Sequence, residues 1–400
     1  MTMKIPITKP FFGEAERKAI LEPLESGWVV QGPKVAEFER RFAEFSGAKF
    51  AVATSSCTTA LHLSLSALGI GPGDEVLLPS FTFVATANAI EYTGARPVFC
   101  DIDLKSFNIN VAEIERRITK RSKAILPVHL FGLSAPMVPI QEIAERHGLR
   151  VIEDAACGFG TFYQGKHVGN FGTTGCFSFH PRKAITTGEG GMITTSDPDL
   201  MVTFKSLRDH GALKSDLIRH VDLGGSLLPE FTKLGYNYRL TDLQAALGVA
   251  QMKAANQILE ARKGRAERYD QGLKDEGWMK IPDDPPDQVH SFQSYVCLLR
   301  PIDFSGSKKP KIEHVMAVHQ KRNQLMHRLG EKGIAVRQGT HAVHTLGYYQ
   351  KKYGLSPEDF MNAFIADRVS ITLPLYVQMT DEEQDLVIRE LKTCAESLGL

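Results

Sequence analysis

Between about residue 50 and residue 195, short apolar runs alternate with segments of helical spacing. "KFAVATSS" reads as a strand entering a polar turn. In "TTALHLSLSALGI", Leu61, Leu65 and Leu68 recur at helical spacing and Gly69 follows as a stop. "DEVLLPSF", "RPVFCDID", "KAILPVHLFG", "LRVIEDAA", "GCFSFH" and "GGMITTSD" read as further strands, and "TFVATANAIEYTG", "AEIERRIT" and "MVPIQEIAERHG" as helices. This alternation predicts a mainly parallel sheet with helices on both faces, because each parallel crossover lays a helix on the sheet. The style changes near residue 256. "ILEARKGRAERYDQGLKDEG", "HVMAVHQKRNQLMHRLGEKG" and "TDEEQDLVIRELKTCAESLGL" read as helices, "SFQSYVCLL" and "SITLPLY" as strands, and 304–312 as a polar loop. Thr380 and Glu383 have the spacing of a capping box. A chain of 400 residues is long enough for two domains. The expected division is a large domain over 1–255, with an N-terminal arm, and a smaller α/β domain over 256–400.

Open parallel sheets bind ligands outside the carboxyl ends of their strands, so the residues after each apolar run are read for chemistry. After "FAVAT" comes "SSCTTAL". A helix starting there offers unpaired N–H groups and a partial positive charge, and Ser56 and Thr58 add hydroxyls; the set suits a phosphate. The same residues also read as an ordinary N-cap. After "DEVLLP", Phe83 is placed to stack on a flat ligand or to pack in the core. After "LRVI" come Glu153 and Asp154, and alternation along the strand sends them to opposite faces. Asp154 is the candidate to hold a cationic ring nitrogen, with a helix cap as the competing reading.

"FSFHPRKAITTGEGG" then carries Lys183. A partly desolvated lysine amine can attack a carbonyl and form a Schiff base, Arg182 would repel its ammonium form, and Ser178 precedes it on the same strand. Alone, such a lysine reads as a surface charge. Together, a phosphate site, a stacking ring, a carboxylate and an amine at successive strand ends match the parts of pyridoxal 5′-phosphate (PLP).

Net charge is +1, which gives no field to attract nucleic acid or an anionic membrane. The six cysteines, at 57, 100, 157, 176, 297 and 394, are scattered as in a reducing compartment. No signal peptide and no apolar stretch near the ~20 residues of a spanning helix is read. The expected setting is cytoplasmic, with neither nucleic acid nor membrane as partner.

The chain resembles the PLP-dependent sugar-nucleotide aminotransferases of the DegT/StrS type. The resemblance rests on "GWVVQGPKVAEFE", "SSCTTALHLSLSALGIGPGDEVLLPSFTFVATANAI", "VIEDAACGFG", "SFHPRKAITTGEGG" and "LGYNYRLTDLQAALG". It implies fold type I, with a seven-stranded sheet in the large domain and a homodimer with shared active sites. It also implies roles. Lys183 would carry the Schiff base, Asp154 pair the pyridine nitrogen and Phe83 stack on the ring. Thr58, the N–H groups of Cys57 and Thr58, and Ser178 would hold the phosphate, with Ser56 beside them. Asn237 would reach the phosphate of the neighbouring subunit, with Arg239 as the competing assignment. Cys157 stands where many relatives have glutamine or histidine, near the cofactor's phenolic oxygen, and a thiol is a weaker donor. His180, Arg337, His341 and His344 are candidates on the substrate side. The HxxH pair of His341 and His344 lacks a third ligand, so no metal is expected.

The activity implied is transfer of an amino group from an amino acid, glutamate first, to a keto-sugar nucleotide. The alternatives are a PLP-dependent lyase or dehydratase on a deoxysugar nucleotide, transamination of a cyclitol ketone, and a PLP-binding regulator without turnover. Retention of Lys183, which some dehydratase relatives replace with histidine, favours transamination.

Overall fold

The computed structural model describes residues 4–212, 230–300 and 310–400, so most of the polar loop 304–312 lies outside the described residues. Seven strands form the main sheet: β1 (Phe50–Thr54), β2 (Glu75–Pro79), β3 (Arg96–Cys100), β4 (Ser122–Ile125), β5 (Arg150–Asp154), β6 (Thr174–Ser178) and β7 (Gly191–Thr195). Their spatial order is β1-β7-β6-β5-β4-β2-β3. β7 runs antiparallel to both neighbours, and the other pairs are parallel. This is the mainly parallel seven-stranded sheet expected.

Both faces are covered, and successive residues of a strand enter different cores. Val52, Val76, Ile152, Cys176 and Ile193 pack with α3 (Cys57–Ala67), α4 (Ala85–Tyr92) and α7 (Pro198–Leu207). Ala53, Phe177 and Met192 pack on the other face with α2 (Pro33–Ser46) and α8 (Asp242–Lys253), while Leu77, Ile125 and Val151 meet α5 (Val111–Arg117) and α6 (Met137–His147). Burial on both faces is why these strands read as nearly continuous apolar runs. The helix α1 (Glu14–Ser26), like α2 and α8, was not anticipated from periodicity.

α8 ends at Lys253, and Ala254 is both its C-cap and the N-cap of α9 (Ala255–Leu273). Beyond it lies a three-stranded antiparallel sheet, β8 (Met279–Lys280), β9 (Tyr295–Leu299) and β10 (Ser370–Leu373), in that order. α10 (Ile312–Glu331) and α11 (Asp381–Glu396) pack near it. Thr380 and Glu383 form the expected capping box: the Thr380 hydroxyl accepts from Glu383 N at 3.1 Å and the Glu383 carboxylate accepts from Thr380 N at 3.0 Å. The first described residues belong with this region, since Ile5 bridges Ile334 and Leu375 N donates to Ile7 O. "DEVLLPSF" proves to be two pieces, because Phe81–Thr82 leaves the main sheet to pair with His341–Ala342. No helix among the described residues is long and apolar enough to cross a membrane.

Candidate active site

The carboxyl ends of β1, β5 and β6 open on one side of the sheet. Gly191, the first residue of β7, faces Thr54 on one side and Ser178 on the other. A side chain at 191 would place its Cβ 2.7 Å from Cys57 N, so only glycine lets β7 pass the start of α3. The result sets Ser178 and the α3 N-terminus side by side. There the N–H groups of Cys57 and Thr58 have no acceptor within the helix. Ser56 is the N-cap, its hydroxyl accepting from Thr59 N at 3.1 Å. The Cys57 thiol turns inward, 3.5 Å from Cys176 O, so this residue offers the site its N–H alone.

β5 ends in Glu153 and Asp154, which do point to opposite faces. Asp154 is 4% exposed. Its Oδ2 accepts from the Thr86 hydroxyl at 2.8 Å and its Oδ1 from Ala156 N at 3.1 Å. Burial raises this carboxyl above the ordinary aspartate range, against the lowering effect of those two donors and of the Lys183 charge. Glu153, fully buried, accepts from the N–H groups of Gly169, Phe171 and Gly172 at 2.7, 2.7 and 2.6 Å, and lies 2.9 Å from His129 Nε2. His129 Nδ1 accepts from Ala135 N, so Nε2 carries the proton toward Glu153.

Lys183 sits in the turn after β6, with its N donating to His180 O at 2.8 Å. Its amine is half-buried and lies 3.1 Å from the Cys157 sulfur. Cys157 is therefore beside the lysine, and of the six cysteines it is the one that is not buried. Phe83 is 63% exposed, whereas Phe81 is fully buried, so of the two readings for Phe83 core packing is excluded. Arg182 O is held by the Gln293 side chain at 2.9 Å, and the backbone at 292–293 is held by the buried guanidinium of Arg262.

The substrate candidates separate. His180 is half-buried, and burial lowers it from the ordinary histidine range, with Lys183, Arg182 and Arg337 acting in the same direction and Glu189 against. Arg337 lines a narrow cleft with Arg182, Gln293, Ser294 and Thr372, and its buried Nε has no partner among the described residues. His341 is half-buried, with Nδ1 3.2 Å from the Gln338 amide. His344 is withdrawn from solvent. It is fully buried, with Nδ1 2.6 Å from the Ser80 hydroxyl and its ring 5.0 Å from Phe360. Asn237 is exposed, and Arg239 is engaged by Asp209 at 2.6 Å. Sequence reading missed Thr86 and Thr82, whose hydroxyls lie 2.9 Å apart; their i, i+4 spacing beside Phe83 was the available signal.

These residues fit PLP. The lone lysine amine of the site, a buried carboxylate with spare acceptor capacity, an exposed ring, and a glycine-cradled helix N-terminus answer its aldehyde, ring nitrogen, ring face and phosphate.

Comparison with known proteins agrees. The chain is 39% identical over 388 residues to the spore coat polysaccharide biosynthesis protein SpsC of Bacillus subtilis, covering 97% of this chain and 96% of that protein. It is 37% identical over 390 residues to GDP-perosamine synthase of Caulobacter vibrioides, covering 97% of each. Among solved structures, PseC of Helicobacter pylori, an aminotransferase involved in the biosynthesis of pseudoaminic acid, superimposes with a TM-score of 0.88 at 28% identity, covering 98% of this chain and 99% of PseC. Spr1654 of Streptococcus pneumoniae, solved in PLP and PMP forms, gives TM-scores of 0.89 and 0.90. The model of the DegT/DnrJ/EryC1/StrS aminotransferase family matches residues 10–392, and the chain belongs to that family as a PLP-dependent aminotransferase.

Proposed function

We propose that this enzyme moves the amino group of an amino acid, glutamate, to the keto carbon of a nucleotide-linked sugar, in the cytoplasm and as a homodimer. The observation that carries the reading is the half-buried Lys183 amine, whose charge acts on the buried Asp154 carboxylate, with Phe83 exposed on the turn that Thr86 closes. In this reading that amine is the base at the reacting carbon. The names of relatives that make or process amino sugars support a sugar acceptor.

Bound PLP supplies an aldehyde that takes up amines and a protonated ring that withdraws electrons from the substrate carbon. In the proposal, the N–H groups of Cys57 and Thr58, with Thr58, Ser56 and Ser178, hold its phosphate, Phe83 stacks on the ring, and Asp154 holds the proton on the ring nitrogen. Lys183 Nζ takes the Cα proton of the amino donor. In the return half-reaction it delivers a proton to the acceptor carbon that bore the carbonyl. Cys157 keeps the lysine amine in place. Arg337, with His180 and His341, faces the substrates, and Asn237 reaches the phosphate site of a second copy of the chain. The division at 255/256 belongs to the same proposal.

The test is a panel of keto-sugar nucleotides incubated with glutamate, with 2-oxoglutarate and amino sugar both quantified. Equal amounts of the two products support transamination. Ammonia without 2-oxoglutarate would make the enzyme a lyase. Lys183→Ala is expected to abolish both the visible absorbance of the loaded protein and turnover; turnover that survives would overturn the role of Lys183.

A further inference from the structure

Asp154 is a buried carboxylate that no arginine or lysine among the described residues contacts directly. It has to stay ionised to hold a ring-nitrogen proton, and burial works against that. Two donors oppose burial, one on each oxygen: Ala156 N from the following turn, and the Thr86 hydroxyl from the first turns of α4.

The Thr86 bond has a fixed direction. A hydroxyl has one proton, and an ionised carboxylate only accepts. Thr86 therefore spends its proton on Asp154, and the neighbouring Thr82 hydroxyl, 2.9 Å away, must donate to Thr86. Both threonines are nearly fully buried, at 1% exposed each, so water does not substitute for either. The same Thr86 also closes the turn that carries Phe83, since its N donates to Phe83 O at 3.1 Å. One residue thus ties the ring-stacking side chain to the carboxylate facing the ring nitrogen. Thr82 in turn lies in the two-residue strand paired with His341–Ala342.

We propose that Thr86 is a positioning residue for Asp154, and that the relay Thr82 to Thr86 to Asp154 keeps this carboxylate ionised and aimed at the cofactor's ring nitrogen. The remaining charges that act on Asp154, Lys183 and His129, do so from a distance and more weakly. The relay concerns the cofactor alone, so it stands or falls independently of which donor and sugar are used.

The experiment titrates the full-length, cofactor-stripped protein with PLP and with 1-deazapyridoxal 5′-phosphate, which has CH in place of the ring nitrogen. Both form the same bond with Lys183, so the ratio of their Kd values isolates the contact to the nitrogen. The wild-type protein is expected to prefer PLP. Thr86→Val is expected to shrink that preference about tenfold, as for a hydrogen bond to a charged group. Thr86→Ser should restore it, and Asp154→Asn should bring the ratio close to one. Thr82→Val, which removes only the outer donor, should shrink it about two- to threefold, and decides the matter if Thr86→Val does not fold. Equal weakening of both ligands in Thr86→Val, or an unchanged ratio, would overturn the proposal, since a purely structural threonine acts on the two alike.

Discussion

Glu153 and Asp154 end the same strand and face opposite sides of the sheet. On one side, Glu153 receives three backbone N–H groups and lies against His129 Nε2. On the other, Asp154 receives one hydroxyl and one N–H. An ionised carboxylate has about four acceptor sites. Glu153 has filled its sites with the protein's own donors and works as a clasp for the turn 169–172. Asp154 keeps capacity for a donor from outside. Two acids, both nearly fully buried, are distinguished by what is left unspent, and the spare capacity is what the proposed function uses.

The strongest way to break this contrast is Asp154→Asn. Turnover is expected to fall about 10³-fold, about 4 kcal/mol in activation free energy, while circular dichroism and thermal melting show a folded protein. A comparable loss of fold would mean that Asp154 is also a clasp. Glu153→Gln should do the reverse. It sets an NH₂ group against buried donors and is expected to lower stability by about 3 kcal/mol in denaturant melts, with PLP binding retained by the fraction that folds.

His344 sharpens the contrast from a third position, as a fully buried histidine held by the Ser80 hydroxyl. Burial holds its ring at about 4, against the raising effect of the Pro357 backbone and of Asp359. A histidine lowered in the fold contributes stability that is present above its unfolded value near 6.5 and is lost as the pH falls through about 4. The loss is on the order of 3 kcal/mol if His344 acts alone. His344→Asn should flatten that acid limb in melts taken between pH 7 and pH 4.

The smallest effect expected is the acid dependence of Asp154 itself. Its carboxyl is raised in the fold, so its contribution to the cofactor-free protein is present below the unfolded value and lost as the pH rises through the folded one. The difference in melting temperature between wild type and Asp154→Asn should therefore widen, to the disadvantage of wild type, from acid to neutral pH. A difference that stays constant would show that burial leaves this carboxyl unperturbed.

Much of this was legible in the chain because the sheet is buried on both faces and its strands stand out as apolar runs. Lys183, Asp154 and the start of α3 each follow such a run directly. The substrate side is harder to read. Arg337, His341 and His344 lie on an irregular segment, and nothing local separates a histidine that faces solvent from one packed against Phe360. "SFQSYVCLL" also begins later than its apolar pattern implies, at Tyr295, because Phe292 turns out of strand geometry with φ 45°. Thr86 was missed for a different reason: its task exists only once α4 lies against the end of β5.

The reversed strand β7 has a consequence for the birth of the molecule. β1 stands at the sheet edge, and β7 is its sheet neighbour. During synthesis Phe50–Thr54 emerges early and must wait for Gly191–Thr195 before it can be held. The last strand to arrive also brings Gly191 between Thr54 and Ser178. Closing the sheet and setting Ser178 beside the start of α3 are thus one long-range step, slow by its sequence separation. A nascent chain that stops short of Gly191 carries Lys183 but lacks the strand that, in the proposed function, completes the seat for the cofactor's phosphate.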